Sequence, residues 1–477
     1  TDERLFLDAS GKPLPFDAAL VGGRAVGVPG VLRMLEAAHR THGRLPWARL
    51  FEPAVALAEQ GFAVSPRLHQ QLHGDPALRR DPVAGTLFYD AAGGAVGAGT
   101  LLRNPEYAAV LREIAAHGAD ALHRGPIAAA IVQAVQQHAA NPGRLSAADL
   151  AGYAPKRRDA LCSQWQTLRL CGMPPPSSGT LAVAQILGIT SIAARPLAAP
   201  TAAGLPSSEF LHVYAEASRL AFADRNQYVA DPDFVAPPAG SWASLLAPAY
   251  LDKRAALIGE RAMGRAPPGV PAGATLAWGN DGSAERPSTS HLVVVDAAGH
   301  AVAMTSSVEQ QFGARLMVNR GLGLAGGFLL NNQLTDFSFV AEQDGRPVAN
   351  RVQGGKRPRS SMSPLLVFDR SSGEFLLATG SAGGPAIIHH TAKALLGMAW
   401  GLTPQQATEL PNFGSLGGPT LLEHGRFGAA TLDALRARGH EIEVQPTSSG
   451  VHTLMRRPAG GWAAGADPRR EGWASGD

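Results

Sequence analysis

Thr289, Ser290 and His291 stand where a Gly-, Pro- and Ala-rich stretch, Gly264 to Pro287, gives way to a β-rich run, His291 to Asp296. A reactive side chain at such a junction is accessible yet rigidly based. A threonine hydroxyl is a weak nucleophile until a base takes its proton. A free α-amino group, with a pKa of about 8, can be that base on the same residue. This requires Thr289 to be an N-terminus, and internal cleavage supplies one. Thr289 Oγ attacks the carbonyl carbon of Ser288, an ester replaces the amide, and water releases residues 1–288. Thr-Ser-His is equally an ordinary strand start, so its neighbours must carry the argument.

The next turn, Asp296-Ala297-Ala298-Gly299-His300, suits a three-residue hairpin loop with Gly299 in the left-handed position. If Asp296 pairs with His300, counting back along both strands sets Thr289 opposite Ser307, a second hydroxyl. Gly380-Ser381-Ala382-Gly383-Gly384 follows a predicted strand. Such turns aim backbone N–H groups at an oxyanion, or simply bend the chain through positive φ. A serine-hydrolase elbow is the other reading, but Thr379 occupies the place of that motif's first glycine. Asn331-Asn332-Gln333 with Asp336, and Ser360-Ser361, are polar clusters suited to holding a zwitterion or to capping turns. His69 and His73 have helical metal-site spacing, but no Glu accompanies them and Gly74 follows, so they read as a helix end. Glu216, Asp224, Asp231 and Asp233 read as structural carboxylates of a helix and its exit turn.

The elements that must hold these groups change character along the chain. In the first half helical spacing dominates. Val31, Leu32, Leu35 and Ala38 mark one helix, ended by Gly43 and Pro46. Phe210, Val213, Tyr214, Ala217, Leu220 and Ala221 mark the clearest one, with Glu216, Arg219 and Arg225 on its other face. Beyond Pro287 come short strands at His291 to Asp296, Ala301 to Ser306, Leu365 to Phe368 and Phe375 to Thr379. Helical signal returns from Thr391 to Leu402, and Val451 to Met455 with Trp462 to Ala464 form a last hairpin. Helices layered on antiparallel sheet, an α+β architecture, fit this order.

Composition excludes several classes of function. Of 477 residues, 45% are apolar and 17% charged, with 55 Gly and 36 Pro, so the chain is globular, rich in turns, and long enough for two lobes or one large layered domain. A net charge of +3 gives too little field to expect nucleic acid, and Lys356-Arg357-Pro358-Arg359 lies in a loop context between glycine and serine pairs. No apolar run reaches the roughly 18 residues of a membrane span; Leu181 to Ala194 is interrupted by Gln, Gly, Thr and Ser. Cys162 and Cys171 fit either a local bridge or two core positions. The opening Thr1-Asp2-Glu3-Arg4 carries no apolar signal region.

Taken in order, a series of segments resembles the gamma-glutamyltranspeptidase family, also called glutathione hydrolases, over essentially the whole chain. They are Gly27-Val28-Pro29-Gly30, Pro174-Pro175-Pro176-Ser177-Ser178-Gly179, Ala223-Asp224-Arg225 through Asp231-Pro232-Asp233, Thr289-Ser290-His291 and Leu330-Asn331-Asn332-Gln333. Asp336-Phe337-Ser338, Lys356-Arg357-Pro358, Ser360-Ser361-Met362-Ser363-Pro364, the Gly380–Gly384 turn and Asp467-Pro468-Arg469 follow. The resemblance implies the four-layer αββα sandwich of N-terminal-nucleophile hydrolases and self-cleavage between Ser288 and Thr289. Residues 1–288 would form a large fragment of helical layers plus strands ending in an exposed processing loop. Residues 289–477 would form a small fragment carrying the core sheet, and the two would stay together as a heterodimer. Thr289 would take a gamma-glutamyl group from a small-molecule donor such as glutathione, and water or an amino-acid or peptide acceptor would remove it. No cofactor, metal, nucleic acid or membrane is implied. Ser307 would assist Thr289, Gly383 and Gly384 would form the oxyanion hole, and Gln333, Asp336, Ser360 and Ser361 would grip the donor's α-amino and α-carboxylate groups. The implied location is the periplasm or outside the cell, with the cytoplasm left open.

The chain departs from the family pattern in three places. Glu309 stands where many members place Asn against the donor's amino-acid head. The Phe339 to Gly355 loop has no aromatic residue after Phe339 and is shorter than the lid of the family's lidded members, and an open site would favour bulky donors and water as acceptor. The family's early Arg-Glu-x-x-Pro motif, whose arginine binds the α-carboxylate, has no counterpart; either a longer protein supplies it or the donor differs. Glu309 and the missing arginine keep a glutaryl or cephalosporin-type acylase open as an alternative, beside a family remnant that does not process itself.

Overall fold

The protein is described by a computed structural model covering residues 1–194, 204–283, 286 and 288–476. Two compact units emerge, one of residues 1–157 with 307–335, the other of residues 158–306 with 336–477. Each unit draws on chain from both sides of Ser288.

The first unit is helical, and its starts and stops follow local chemistry. Among its helices are α1 (Val31–His42), α2 (Pro105–His117) and α3 (Gly125–Gln136). At the start of α2, Asn104 Oδ1 accepts from Tyr107 N at 3.1 Å and Pro105 fills a position whose N–H would lack a partner. Val110, Leu111 and Ile114 of α2 pack with Ile127, Ile131 and Val135 of α3 and with Leu316, Val318 and Leu330 in one core.

The second unit is built around a six-stranded antiparallel sheet. Strands β1 (Leu161–Trp165) and β2 (Leu168–Gly172) precede helices α4 (Gly179–Ala193) and α5 (Ser208–Tyr228). Strands β3 (Ser290–Val295) and β4 (Ala301–Ser306) form a separate hairpin. Then come β5 (Leu365–Asp369), β6 (Phe375–Gly380), α6 (Ile387–Ala399), β7 (His452–Arg456) and β8 (Trp462–Ala466). The sheet order is β8-β7-β6-β5-β2-β1. Helices α4 and α6 cover one face, where Ile186, Leu187 and Leu395 meet Leu170, Val367 and Leu377. The β3–β4 hairpin packs against β6 and β7, so this unit alone shows an α-β-β layering. On the hairpin's other side Leu292, Val294 and Val302 are exposed.

The hairpin has the register expected from the turn: Ser290 faces Ser306, His291 faces Thr305, Asp296 N bonds His300 O at 3.0 Å, and Gly299 has φ +85°. Strand bounds fall within a residue or two of those read from sequence. Four features differ. Strands β1 and β2 carry no clean alternation, yet they extend the sheet and are joined by a Cys162–Cys171 disulfide across their ladder. Helix α5 buries both faces, because Glu216, Arg219, Asp224 and Arg225 of its polar side are buried with partners instead of solvated. Helix α6 starts four residues before the expected Thr391. The Gly264–Pro287 loop has no helix or strand among its described residues but is not uniformly exposed, since Ala266 and Asp281 are buried; its residues 284, 285 and 287 lie outside the described residues.

The disulfide closes a short edge hairpin. Replacing both cysteines with serine is expected to lower the unfolding free energy by about 2 kcal/mol, read from a urea denaturation midpoint.

Candidate active site

Three segments of the second unit converge on the Ser288–Thr289 peptide bond. The approach to it is pinned at Asp281, whose buried carboxylate meets Arg359 Nη2 at 3.1 Å, Asn350 Nδ2 at 3.0 Å and Ser283 N at 3.0 Å. Gly279 bridges Val348 just before it. The exit from the bond is pinned by the β3–β4 ladder, which begins at Ser290. Between these anchors Thr289 holds φ +88°. For a β-branched residue that is a strained backbone, of order 1–3 kcal/mol, sustained only because both flanks over-determine it.

The second segment is the turn after β6. Gly383 N donates to the Ser288 carbonyl oxygen at 2.7 Å. Gly383 has φ +136°, and a Cβ there would stand 2.6 Å from Cε1 of the buried His390, so glycine alone suits the position. The turn is tied to the chain before β7 by Ala382 N to Gly450 O at 3.2 Å and Gly450 N to Ala382 O at 3.3 Å. Gly384, φ +60°, opens the short turn leading into α6. The third segment is the turn after β8, from which Arg470 Nη1 reaches Thr289 O at 2.8 Å and Ser288 O at 3.3 Å.

Neither nearby histidine suits the work of a base. His291 is buried with Nδ1 2.8 Å from Thr305 Oγ1, and burial followed by the charge of His452 pushes its pKa down to about 3. His390 is driven well below its ordinary value, first by burial and then by Lys393. The Ser288 carbonyl is thus held by a backbone donor, with a hydroxyl-bearing residue next in sequence.

The remaining predicted residues fall in both units. In the first, Ser307 follows the last residue of β4, and its Oγ accepts from Glu309 N at 2.9 Å. Glu309 has φ +74° and a buried carboxylate bonded to Asn332 Nδ2, and burial lifts its pKa to about 7 against the pull of Asn332 and Gln310. Gln333 N bonds Asn331 Oδ1 at 2.9 Å as a short turn, Gln333–Asp336, begins. In the second unit Asn350 Nδ2 holds the Asp336 carbonyl at 2.8 Å. Ser360 Oγ donates to Ser177 Oγ at 3.1 Å, and Ser361 Oγ accepts from Arg225 Nη2 at 2.7 Å.

The Gamma-glutamyltranspeptidase family matches residues 1–477. The chain belongs to this family. A glutathione hydrolase proenzyme of Pseudomonas aeruginosa is 31% identical over 98% of this chain and 80% of its own length. An acylase ACY 1 proenzyme of Pseudomonas sp. strain V22 is also 31% identical, over 95% of this chain and 75% of its own. A crystal structure of cephalosporin acylase from Bacillus halodurans shares the fold with a TM-score of 0.78 at 24% identity, covering 96% of this chain and 80% of that one. The α+β fold of N-terminal-nucleophile hydrolases expected from sequence is the fold observed.

Other clusters of this family member are structural. Asp224 pairs with Arg254 at 3.1 Å, and Asp231 and Asp233 share Arg158, each at 3.1 Å. His69 Nδ1 meets Val96 O at 2.9 Å from mid-helix, and His73 is the last residue of the same helix. Among the described residues, His212, Glu216 and His440 form a buried group of metal-ligating type. Its atoms satisfy one another: Thr420 Oγ1 to His440 Nδ1 at 2.7 Å, His440 Nε2 to His212 Nδ1 at 2.7 Å, His212 Nε2 to Gly259 O at 2.8 Å, and Glu216 to Arg219 and Met263 N. No described helix is long and apolar enough to cross a membrane. Sequence reading missed Arg470, because the second arginine of Asp467-Pro468-Arg469-Arg470 is a cation with no spacing rule attached.

Two outcomes follow from the geometry. Gly383→Ala should slow cleavage before Thr289 by at least about a hundredfold, followed as precursor loss on a gel, because the donor is displaced and His390 is crowded. Glu309, with its raised pKa, contributes stability that is fully present below its ordinary value of 4.5 and is lost as pH rises through about 7. Glu309→Gln should therefore shrink the fall in Tm between about pH 5 and about pH 8; an unchanged fall would show that this carboxyl does not carry it.

Proposed function

We propose that this chain is an autoprocessing gamma-glutamyl hydrolase and transpeptidase, cut between Ser288 and Thr289, with Thr289 as its nucleophile. The observation that carries this reading is the Ser288 carbonyl resting 2.7 Å from Gly383 N while Thr289 holds φ +88°. Cleavage removes the acyl substituent that defines that torsion, so the strain favours the cut. The pocket vacated by Ser288 then offers Gly383 N–H to the donor's gamma-carbonyl, with Gly384 as its expected companion.

The chemistry balances in two steps. Thr289 Oγ bonds to the gamma-carbonyl carbon as its proton passes to the Thr289 α-amine. The C–N bond breaks and the leaving amine takes that proton. Water, or an acceptor amine, then attacks the ester and returns a proton to Oγ. Ser307, the residue after the last observed register pair, supports a hydroxyl beside the nucleophile. Gln333, Asp336, Ser360 and Ser361 are the proposed grip on the donor's head group. Protonated Glu309 offers one O–H donor and one C=O acceptor, keeping the chemistry of the asparagine amide it replaces. The two fragments are proposed to remain a heterodimer. The Cys162–Cys171 disulfide supports an oxidising location, the periplasm or the cell exterior.

A second reading, an acylase for glutaryl or cephalosporin-type amides, is favoured by the acylase relative, whose identity to this chain equals that of the glutathione hydrolase. Intact mass should show fragments beginning at Thr1 and Thr289, and Thr289→Ala should abolish both cleavage and turnover. Gamma-glutamyl anilide turned over faster than glutaryl anilide supports the main reading; the reverse order supports the acylase. A wild-type chain that stays whole after long incubation would sink both.

A further inference from the structure

The guanidinium of Arg470 occupies a built position. Arg470 is half-buried, and its Nε donates to Ser448 O at 2.6 Å while Nη2 lies 3.4 Å from Ser448 Oγ. Its stem passes over Gly450, where a Cβ would come within 3.0 Å of Arg470 Cδ and 3.1 Å of Ala382 Cβ. The turn that presents it is capped by Asp467, whose carboxylate accepts from Arg469 N at 3.0 Å and from Ser449 Oγ at 2.5 Å. Arg469 is consumed by Glu423 and Asp467. With Nε fixed on Ser448, Nη1 points at Thr289 O, 2.8 Å away, and Ser288 O, 3.3 Å away.

The Ser288 oxygen therefore has two donors from different segments, Gly383 N–H at 2.7 Å and the Arg470 cation. We infer that Arg470 is a catalytic residue of self-cleavage, supplying the charged half of the oxyanion site at the Ser288 carbonyl. This rests on the proposed cut before Thr289 and deepens it. When Thr289 Oγ bonds to the Ser288 carbonyl carbon, the C=O electron pair moves onto the carbonyl oxygen, between Gly383 N–H and the guanidinium. The pair then returns, the C–N bond to Thr289 breaks, and the Oγ proton ends on the Thr289 nitrogen. Water hydrolyses the resulting ester to a Ser288 carboxylate and a free Thr289 hydroxyl. The cation gains attraction as negative charge develops on oxygen, which is where a donor accelerates a step. The bond to Thr289 O holds the guanidinium in register with the nucleophile's own residue.

The test follows the first-order conversion of purified full-length precursor to its two fragments, in wild type, Arg470→Ala and Arg470→Lys, with Tm measured on each. Arg470→Ala is expected to cleave about a hundredfold more slowly. Arg470→Lys, which keeps the charge but loses the fixed fork, should fall between the two. Guanidinium chloride at non-denaturing concentration should accelerate Arg470→Ala and leave wild type unchanged, a rescue that a merely structural arginine would not give. Arg470→Ala cleaving at the wild-type rate would overturn the inference while leaving the Thr289 reading intact. Slow cleavage recovered neither by lysine nor by guanidinium, with a lowered Tm, would also overturn it in favour of a structural role. A wild-type chain that never cleaves refutes the proposed function itself.

Discussion

One hydrogen bond organises the second unit's chemistry: Gly383 N–H to the carbonyl oxygen of Ser288 at 2.7 Å. For that N–H to point outward, the chain must pass through φ +136° with His390 directly behind it. His390 is fixed because α6 packs its length against the sheet, and the turn is fixed because Gly450 bonds it from the neighbouring segment. For the carbonyl to arrive there, the chain before it must be held at Asp281 and the chain after it at the β3–β4 ladder. Thr289 absorbs the mismatch as positive φ. A backbone donor is a sound choice for such a task, since it cannot rotate away and changes little as charge develops.

The titratable groups around this bond are arranged by what burial removes. His291 and His390 are kept neutral; in the first unit, burial likewise raises the pKa of Glu309. The deeply buried charges elsewhere are matched instead: Asp281 with Arg359, Glu216 with Arg219, Asp224 with Arg254. A buried carboxylate deprived of its arginine is strongly destabilising, whereas the matched pair is roughly neutral. These pairs are better understood as registration pins than as sources of stability.

Much of this was legible beforehand, for physical reasons that can be named. The Asp296–His300 turn set the hairpin register because a three-residue loop with glycine in the left-handed position permits one pairing. Helix α5 was visible from its apolar spacing, but its buried polar side was not, since a charge on a helix looks the same in sequence whether water or an arginine faces it. Strands β1 and β2 escaped because Leu161-Cys162-Ser163-Gln164-Trp165 does not alternate cleanly; the long-range pairing of β2 with β5, and the β1 ladder on β2, make them part of the sheet. Gly383 was found because glycine-rich turns announce themselves. Arg470 was not, because its role depends on a contact 181 residues away in sequence.

The pairing of β2 with β5, from Gly172 opposite Leu365 to Leu168 opposite Asp369, joins strands from the two sides of the Ser288–Thr289 bond. In the uncut chain their meeting is the closure of a loop, whose entropic cost grows only slowly with length. If that bond is cut as proposed, the same pairing becomes an encounter between two molecules, and it must also repay lost translational freedom. Under the proposed cut, the sheet therefore favours assembly before scission. A molecule cut there and then unfolded would face a concentration-dependent route home that the newborn chain never had to travel, so its lifetime would be governed by how slowly the β2–β5 seam opens.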